Sequence, residues 1–211
     1  MHPKTNTHAS QISAQLVNLR QHLTGLLTPC YSMRGDQVGT LTKVIERLSR
    51  AGQVNLQACQ ANPLADVLAT KRLSQVELPK ACQHLMNSCL GLADSLPWYQ
   101  RPVANHPKFM AGHINAQIIG PEGLAISQEL IVGITLMRPN LDYPDHQHEP
   151  EEIYLVLSDG RWRQDYGPWQ TPGLGGLVYN PSNIMHGMQS QATPLVALWC
   201  LPLDKPFGSF S

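Results

Sequence analysis

The hydrophobic period of this chain changes midway, and that change constrains its fold more than any other feature. Before about residue 96, apolar residues recur at steps of three and four, as they do on one face of a helix. After residue 110, apolar and polar residues alternate, as in HINAQII from His113 to Ile119, which is typical of a strand. We therefore predict a helical first half and a β-rich second half. The clearest helical stripe consists of Ile12, Leu16, Leu19, Leu23 and Leu26.

Four helices are expected before residue 96. Besides the first stripe, apolar residues repeat with helical spacing from Val38 to Leu48 and from Leu78 to Leu92. A further helix is predicted to begin at Asn62, because its side chain can cap a helix and Pro63 has no amide hydrogen to satisfy. The helical region should end by Leu96, because the following proline disfavours helix there.

Short segments rich in β-branched residues, with glycine and proline between them, make up the second half. The stretch EIYLVLSDGRWRQDY, from Glu152 to Tyr166, predicts a hairpin with its turn at Ser158-Asp159-Gly160. No segment of helical length separates the strands, which favours a β-barrel or sandwich over a parallel sheet with crossover helices. We predict a mainly β protein with a helical N-terminal region over residues 1–97 and a β-barrel domain over residues 98–211.

The charge balance excludes several classes of partner. Fifteen basic residues offset fifteen acidic ones among 211 residues, so no overall field attracts nucleic acid or an anionic membrane. The polar start MHPKTNTHAS lacks the apolar segment of a signal peptide, and no apolar run reaches the length of a membrane span. We therefore expect a cytoplasmic protein that binds a small molecule, and the composition leaves room for a homo-oligomer. The five cysteines include no CxxC motif, which argues against a cysteine zinc site.

The stretch YPDHQHEPEEIY, from Tyr143 to Tyr154, concentrates titratable residues. His146 and His148 are two residues apart, so they point the same way in an extended backbone. A hairpin or a bulged corner could bring these histidines and Glu152 to one inner face. Imidazoles and a carboxylate suit a divalent transition metal such as Zn, Fe, Mn or Ni. The alternative is a solvated acidic loop, and we expect the side chains of Asp145, Glu149 and Glu151 to be solvated in either case.

A further metal ligand should come from elsewhere in the chain, and His186 is the one histidine that follows Glu152. The pattern HxHxxxE with a later glycine, followed by PxxxxH, resembles the two motifs of the cupin superfamily. Gly160 falls one residue later than the usual glycine, and the second motif lacks its usual glycine and asparagine. This resemblance implies a double-stranded β-helix barrel whose metal is held by His146, His148, Glu152 and His186.

With Tyr143 and Tyr154 beside these residues and a helical region in front, the chain resembles the cupin-type dimethylsulfoniopropionate (DMSP) lyases. The resemblance implies β-elimination of DMSP to dimethyl sulfide and acrylate. It implies that Tyr154 is the catalytic base and that Tyr143 contacts the substrate or assists. In some members a tyrosine replaces the first histidine as a metal ligand, which leaves open whether His146 or Tyr154 contacts the metal.

This chemistry suggests further partners for the substrate. A sulfonium favours aromatic faces through cation–π contact. The same metal ligands also suit a cupin dioxygenase or isomerase that acts on a different small carboxylate, and a cupin that binds a ligand without catalysis. The candidate aromatic residues are Trp98, Tyr99, Trp162, Trp169, Tyr179 and Trp199.

Overall fold

A computed structural model of the chain describes residues 3–32, 35–50, 52–56, 62–68 and 77–205. The helices in these ranges are α1 (Pro3–Leu27), α2 (Gln37–Leu48), α3 (Ala65–Leu68), α4 (Lys80–Leu92) and α5 (Pro107–Gly112). The strands are β1 (Trp98–Tyr99), β2 (His113–Gly120), β3 (Ala125–Ile126), β4 (Leu130–Met137), β5 (Asp142–His146), β6 (Glu152–Val156), β7 (Gly160–Gln164), β8 (Leu177–Asn180), β9 (His186–Ser190) and β10 (Leu195–Pro202).

The predicted helical stripes are faces that the helices bury. In α1 the stripe ends at Leu27, which is buried, rather than at Leu26, which is only partly covered. Helix α4 packs along α1 and buries its own predicted stripe. The predicted cap at Asn62 is confirmed, because the Leu64 N–H donates to Asn62 Oδ1 at 2.8 Å. The part of that predicted helix beyond Leu68 lies largely outside the described residues.

The strands form two sheets. The larger has the order β1-β2-β4-β10-β6-β8, with the short β3 parallel to β2 at its edge, and the smaller has the order β5-β9-β7. Consecutive strands from β4 to β10 alternate between the two sheets. This alternation is that of a double-stranded β-helix, so the predicted cupin barrel preceded by about four helices is confirmed.

The predicted hairpin from Glu152 to Tyr166 is wrong, because its two strands belong to different sheets. Strand β6 pairs with β8 and β10, whereas β7 pairs with β9. Residues 157–159 turn the corner between the sheets, and the Leu157 N–H donates to the Val196 carbonyl of β10. Both edges of β6 are thus paired with strands distant in sequence, and no edge of β6 remains free to pair with β7.

The larger sheet is covered on both faces. Its outer face packs against the helices, and residues such as Leu41 of α2, Cys89 of α4 and Ile153 of β6 share one apolar core there. Its inner face forms a second apolar cluster inside the barrel. The predicted boundary between residues 1–97 and 98–211 stays a prediction. Among the described helices, none has both the length and the apolar character needed to cross a bilayer.

Candidate metal centre and its cavity

The predicted metal ligands lie where the two sheets meet at one end of the barrel. His146 ends β5 and His186 begins β9, and these residues are direct partners in the register of the smaller sheet. Glu152 begins β6 in the larger sheet, and His148 lies in the corner between β5 and β6. The chain therefore reaches the site from both sheets, through a corner of the kind that the histidine spacing allowed.

The structure brings all four predicted ligands together. One ring nitrogen of each of His146, His148 and His186 lies within 4.8 Å of the other two. The Oε2 atom of Glu152 lies 3.2 Å from His186 Nε2 and 3.6 Å from His148 Nε2. Glu152 and His186 are each only 3% exposed, so this cluster is largely shielded from water.

Backbone carbonyls determine which nitrogen of each histidine is protonated. The Nδ1 atoms of His146, His148 and His186 lie 3.0, 2.8 and 2.9 Å from the carbonyl oxygens of Pro144, Pro150 and Ile184. A carbonyl oxygen can only accept a hydrogen bond, so each Nδ1 carries the hydrogen. Each Nε2 is left with a lone pair, which is the form that binds a metal.

The lone pairs point at one another and at a carboxylate. His186 Nε2 is buried and has no hydrogen-bond partner, although a Glu152 oxygen lies 3.2 Å away. Acceptors that face each other at this distance repel unless a cation, either a proton or a metal ion, lies between them. Three imidazole nitrogens and one carboxylate oxygen are a suitable ligand set for a divalent transition metal, so the residues present fit such an ion.

The pKa shifts in this cluster come from burial and from the short distances between the carboxylate and the imidazoles. Burial alone would raise the pKa of Glu152, but the facing imidazoles of His148 and His186 hold it well below its ordinary value. Burial, followed by the neighbouring His186, lowers the pKa of His146 to about 3, so this ring is neutral at physiological pH. Burial would lower the pKa of His148, but Glu152 raises it above its ordinary value. The cluster thus favours a positive charge between the carboxylate and the imidazoles.

An amide that sequence reasoning missed orients the carboxylate. Asn180, at the end of β8, donates from Nδ2 to Glu152 Oε2 at 2.9 Å. The Oδ1 of the same amide accepts from Gln164 Nε2 at 2.8 Å, which determines which way the amide faces. Asn180 directly precedes Pro181 of the second motif, and that adjacency was the available sequence signal.

The acidic side chains around the ligands are not simply solvated, contrary to expectation. Asp145 pairs with the guanidinium of Arg163, which also stacks on Trp169. Glu151 accepts hydrogen bonds from the hydroxyls of Thr40 in α2 and Tyr179 in β8, each at 2.7 Å. Glu149 accepts from Lys205. These contacts hold the segment between β5 and β6 to its neighbours and so support the ligands it carries.

A cavity of about 280 Å³ opens beside the cluster. Both predicted catalytic tyrosines line it, together with His146, His148 and Glu152. Of the six aromatic residues considered for a sulfonium, Tyr99 and Trp199 line the cavity. Trp98 instead donates its ring N–H to the Ala93 carbonyl, and Tyr179 is hydrogen-bonded to Glu151. Trp162 and Trp169 are not among the residues that line the cavity.

The two tyrosine hydroxyls have opposite surroundings. The Tyr154 hydroxyl lies near the Glu152 carboxylate, and burial followed by that carboxylate raises the pKa of Tyr154 well above its ordinary value. The Tyr143 hydroxyl lies near the N–H groups of Arg101 and Asn115. Burial raises the pKa of Tyr143, while Arg101 and Asn115 oppose that rise. Tyr154 therefore faces an anion, whereas Tyr143 faces N–H donors.

A polar network behind Tyr143 was not predicted. The Trp199 ring N–H donates to Thr135 Oγ1 at 3.0 Å, and the Thr135 hydroxyl donates to Asn115 Oδ1 at 2.6 Å. The carbonyl side of the Asn115 amide is thus occupied, which leaves its NH₂ for Tyr143. The predicted strand alternation placed Asn115 on a polar face, and that face turns out to be the barrel interior.

Known proteins resemble this chain in sequence. The family model for dimethylsulfoniopropionate lyase matches residues 37–197, which is more than half of the chain. Dimethylsulfoniopropionate lyase DddQ of Ruegeria pomeroyi is 33% identical over 82 residues, covering 38% of this chain and 41% of that protein. The putative dimethylsulfoniopropionate lyase DddL of Cereibacter sphaeroides is 29% identical over 108 residues, covering 50% of this chain and 45% of that protein. The chain thus spans less than half the length of these curated relatives.

Solved structures share the whole architecture. A chain from the crystal structures of the DMSP lyases RdDddP and RnDddQII aligns with a TM-score of 0.69 at 19% identity, covering 94% of this chain and 96% of that chain. The crystal structure of DMSP lyase DddQ from Ruegeria pomeroyi DSS-3 aligns with a TM-score of 0.63 at 20% identity, covering 88% and 92%. At these identities the likeness shows a common fold.

Proposed function

The chain belongs to the dimethylsulfoniopropionate lyase family, and we propose that it cleaves DMSP into dimethyl sulfide and acrylate in the cavity beside the histidine cluster. The observation that carries this proposal is the cluster of His146, His148 and His186 with the Glu152 carboxylate, beside a cavity that two tyrosines line. The substrate is then a small zwitterion.

The proposed metal ligands are His146, His148, Glu152 and His186, and Zn, Fe, Mn and Ni all suit this set. When bound, such an ion would supply a Lewis acid for the carboxylate of the substrate. The protein orients these ligands in advance, because hydrogen bonds from Nδ1 to backbone carbonyl oxygens fix the direction of the imidazole rings. Asn180 holds Glu152 in the same way.

The proposed base is Tyr154. Its phenolate oxygen would take the proton from the carbon next to the carboxylate. The electron pair of that C–H bond becomes the second bond of acrylate as the C–S bond breaks, and dimethyl sulfide leaves as a neutral molecule. Burial and Glu152 favour the neutral phenol, so a cation in the cluster is needed to favour the phenolate. Trp199 and Tyr99 offer aromatic faces for the sulfonium.

Tyr143 is proposed to assist, and one observation makes it a second candidate for the base. N–H donors near a phenol oxygen favour its ionised form, and Arg101 and Asn115 both act on Tyr143 in this direction. Substituting each tyrosine in turn separates the two roles. Loss of the base should cost about 10²- to 10⁴-fold in kcat, whereas loss of a substrate contact should mainly raise KM.

The experiment incubates metal-loaded protein with DMSP and measures dimethyl sulfide by headspace gas chromatography. We expect kcat/KM on the order of 10⁴ M⁻¹s⁻¹ or above, abolished in His186→Ala and strongly reduced in Tyr154→Phe. Tyr166→Phe is the matched control, because Tyr166 is 68% exposed and does not line the cavity. Wild-type turnover in Tyr154→Phe together with a large loss in Tyr143→Phe would transfer the base role to Tyr143.

A trace rate in the wild-type protein would contradict the proposed substrate. The search would then move to other small carboxylates. Consumption of oxygen with such a substrate would indicate a dioxygenase instead, since the same ligand set serves that reaction.

A further inference from the structure

The cavity contains a cation that the proposed reaction does not yet use. Among the described residues that line it, Arg101 carries the one permanent positive charge, and Glu152 carries the one carboxylate. We propose that Arg101 binds the carboxylate of the substrate and so selects carboxylate-bearing molecules. This inference rests on the proposed function in so far as the reacting carboxylate lies in this cavity.

The backbone of Arg101 is held in place. Its N–H donates to His113 Nε2 at 3.1 Å, and His113 Nδ1 lies 2.7 Å from the Phe109 carbonyl oxygen. His113 is fully buried, and the Phe109 ring stacks on it at 3.5 Å. The Pro102 that follows disfavours a helical conformation at Arg101. These contacts fix the backbone position from which the Arg101 side chain extends, and they do not depend on a bound ligand.

Among the described residues, the Arg101 side chain faces a neutral hydroxyl and takes part in no ion pair. Its guanidinium lies close enough to the Tyr143 hydroxyl to lower the pKa of that group. The carboxylate of Glu152 is already engaged by Asn180 and faced by the imidazoles. A guanidinium has five N–H donors, so donors remain for an incoming anion.

The guanidinium acts on the same space as the histidine cluster. Arg101 lines the same cavity as His146, His148 and Glu152. Arg101 and the proposed metal ligands can therefore address one small anion. The sulfonium end would be repelled by Arg101, and an apolar and aromatic part of the wall is available to it. That wall includes Ile131, Trp199, Leu201 and Leu203.

The test measures binding rather than turnover. Isothermal titration of the metal-loaded protein with acrylate, which has the carboxylate but no sulfonium, is compared with titration by trimethylsulfonium, which has the reverse. We expect Arg101→Gln to weaken acrylate binding by about 10-fold to 100-fold, which is typical for a lost hydrogen bond to a charged group. Arg101→Lys should weaken acrylate binding less than Arg101→Gln does, because lysine keeps the positive charge although it lacks the planar guanidinium. The affinity for trimethylsulfonium should stay the same or rise.

Controls separate this role from a general loss of structure. Arg161→Gln is the matched variant, because Arg161 is exposed on β7 and does not line the cavity. Its acrylate affinity should equal that of the wild type. A variant that weakens acrylate and trimethylsulfonium equally would indicate a structural role and overturn the proposal. Equal acrylate affinity in Arg101→Gln and the wild type, or no measurable acrylate binding to the wild type, would also overturn it.

The acrylate-binding result and the lyase assay test the carboxylate subsite and the substrate separately. A wild-type protein that releases no dimethyl sulfide but binds acrylate through Arg101 would refute the substrate and keep the carboxylate subsite. Normal DMSP turnover with an unchanged KM in Arg101→Gln would refute the subsite and keep the lyase.

Discussion

At the residue scale, the site depends on hydrogen bonds that set the direction of each ligand. The three histidines each donate from Nδ1 to a carbonyl two residues away, so their orientation is encoded locally. Glu152 differs, because its orientation depends on Asn180, which is 28 residues further along the chain. The sequence spacing therefore identified the histidines and the glutamate but not the amide that positions the glutamate.

This arrangement predicts the effect of removing the Asn180 amide. In Asn180→Ala, Glu152 loses its donor and becomes free to rotate, so metal affinity should fall by about 10-fold to 100-fold. Competition with a coloured chelator measures that affinity directly. Asn87→Ala is the control, because Asn87 is exposed on α4 and bonded only to Gln83 among its described partners. An unchanged metal affinity in Asn180→Ala would contradict the positioning role.

At the element scale, strand pairing decides what each face of a strand meets. The segment containing β6 and β7 has the local signature of a hairpin, yet each strand pairs in a different sheet. The same pairing stacks Trp199 of β10 directly beside Gly133 of β4. A Cβ at position 133 would lie 2.0 Å from the Trp199 ring, so only glycine leaves room for this cavity wall.

Gly133→Ala should therefore displace the Trp199 ring. We expect a loss of about 1–3 kcal/mol in the free energy of unfolding, as for other overpacked interiors, and a changed tryptophan fluorescence spectrum. Urea denaturation measures the first effect. Gly25→Ala is the matched control, because a Cβ there meets nothing within 4 Å in helix α1. That variant should gain about 0.5–1 kcal/mol. Equal stability of Gly133→Ala and the wild type would show that the ring moves freely.

At the scale of the whole molecule, one apolar core joins the helices to the outer face of the larger sheet. Cys89 of α4 and Cys200 of β10 belong to this core, and each is 2% exposed. Burial raises the pKa of the Cys89 thiol to about 12 and raises the pKa of Cys200 as well. Both thiols are therefore protonated at neutral pH and shielded from reagents.

A shared core predicts that the helices and the barrel unfold together. Variants that keep only Cys89 or only Cys200 should resist a thiol reagent when folded and react at the same urea midpoint. Reaction of Cys89 at clearly lower urea than Cys200 would mean that the helical region unfolds by itself. That result would support two separately stable domains at 1–97 and 98–211. The oligomeric state and the cytoplasmic location stay predictions.

Local patterns by themselves determined the helices, most strand positions and three of the four clustered side chains, and the resemblance to the cupin motifs added His186. Helical and strand periods act over a few residues, and so does the spacing of His146, His148 and Glu152. Tertiary structure alone decided that His186 faces His146, that the polar face of β2 lines a cavity, and that Arg101 lies in that cavity. These facts depend on strand pairings between residues far apart in the chain. The free energy of such pairings depends on burial across both sheets, which no local window of the sequence contains.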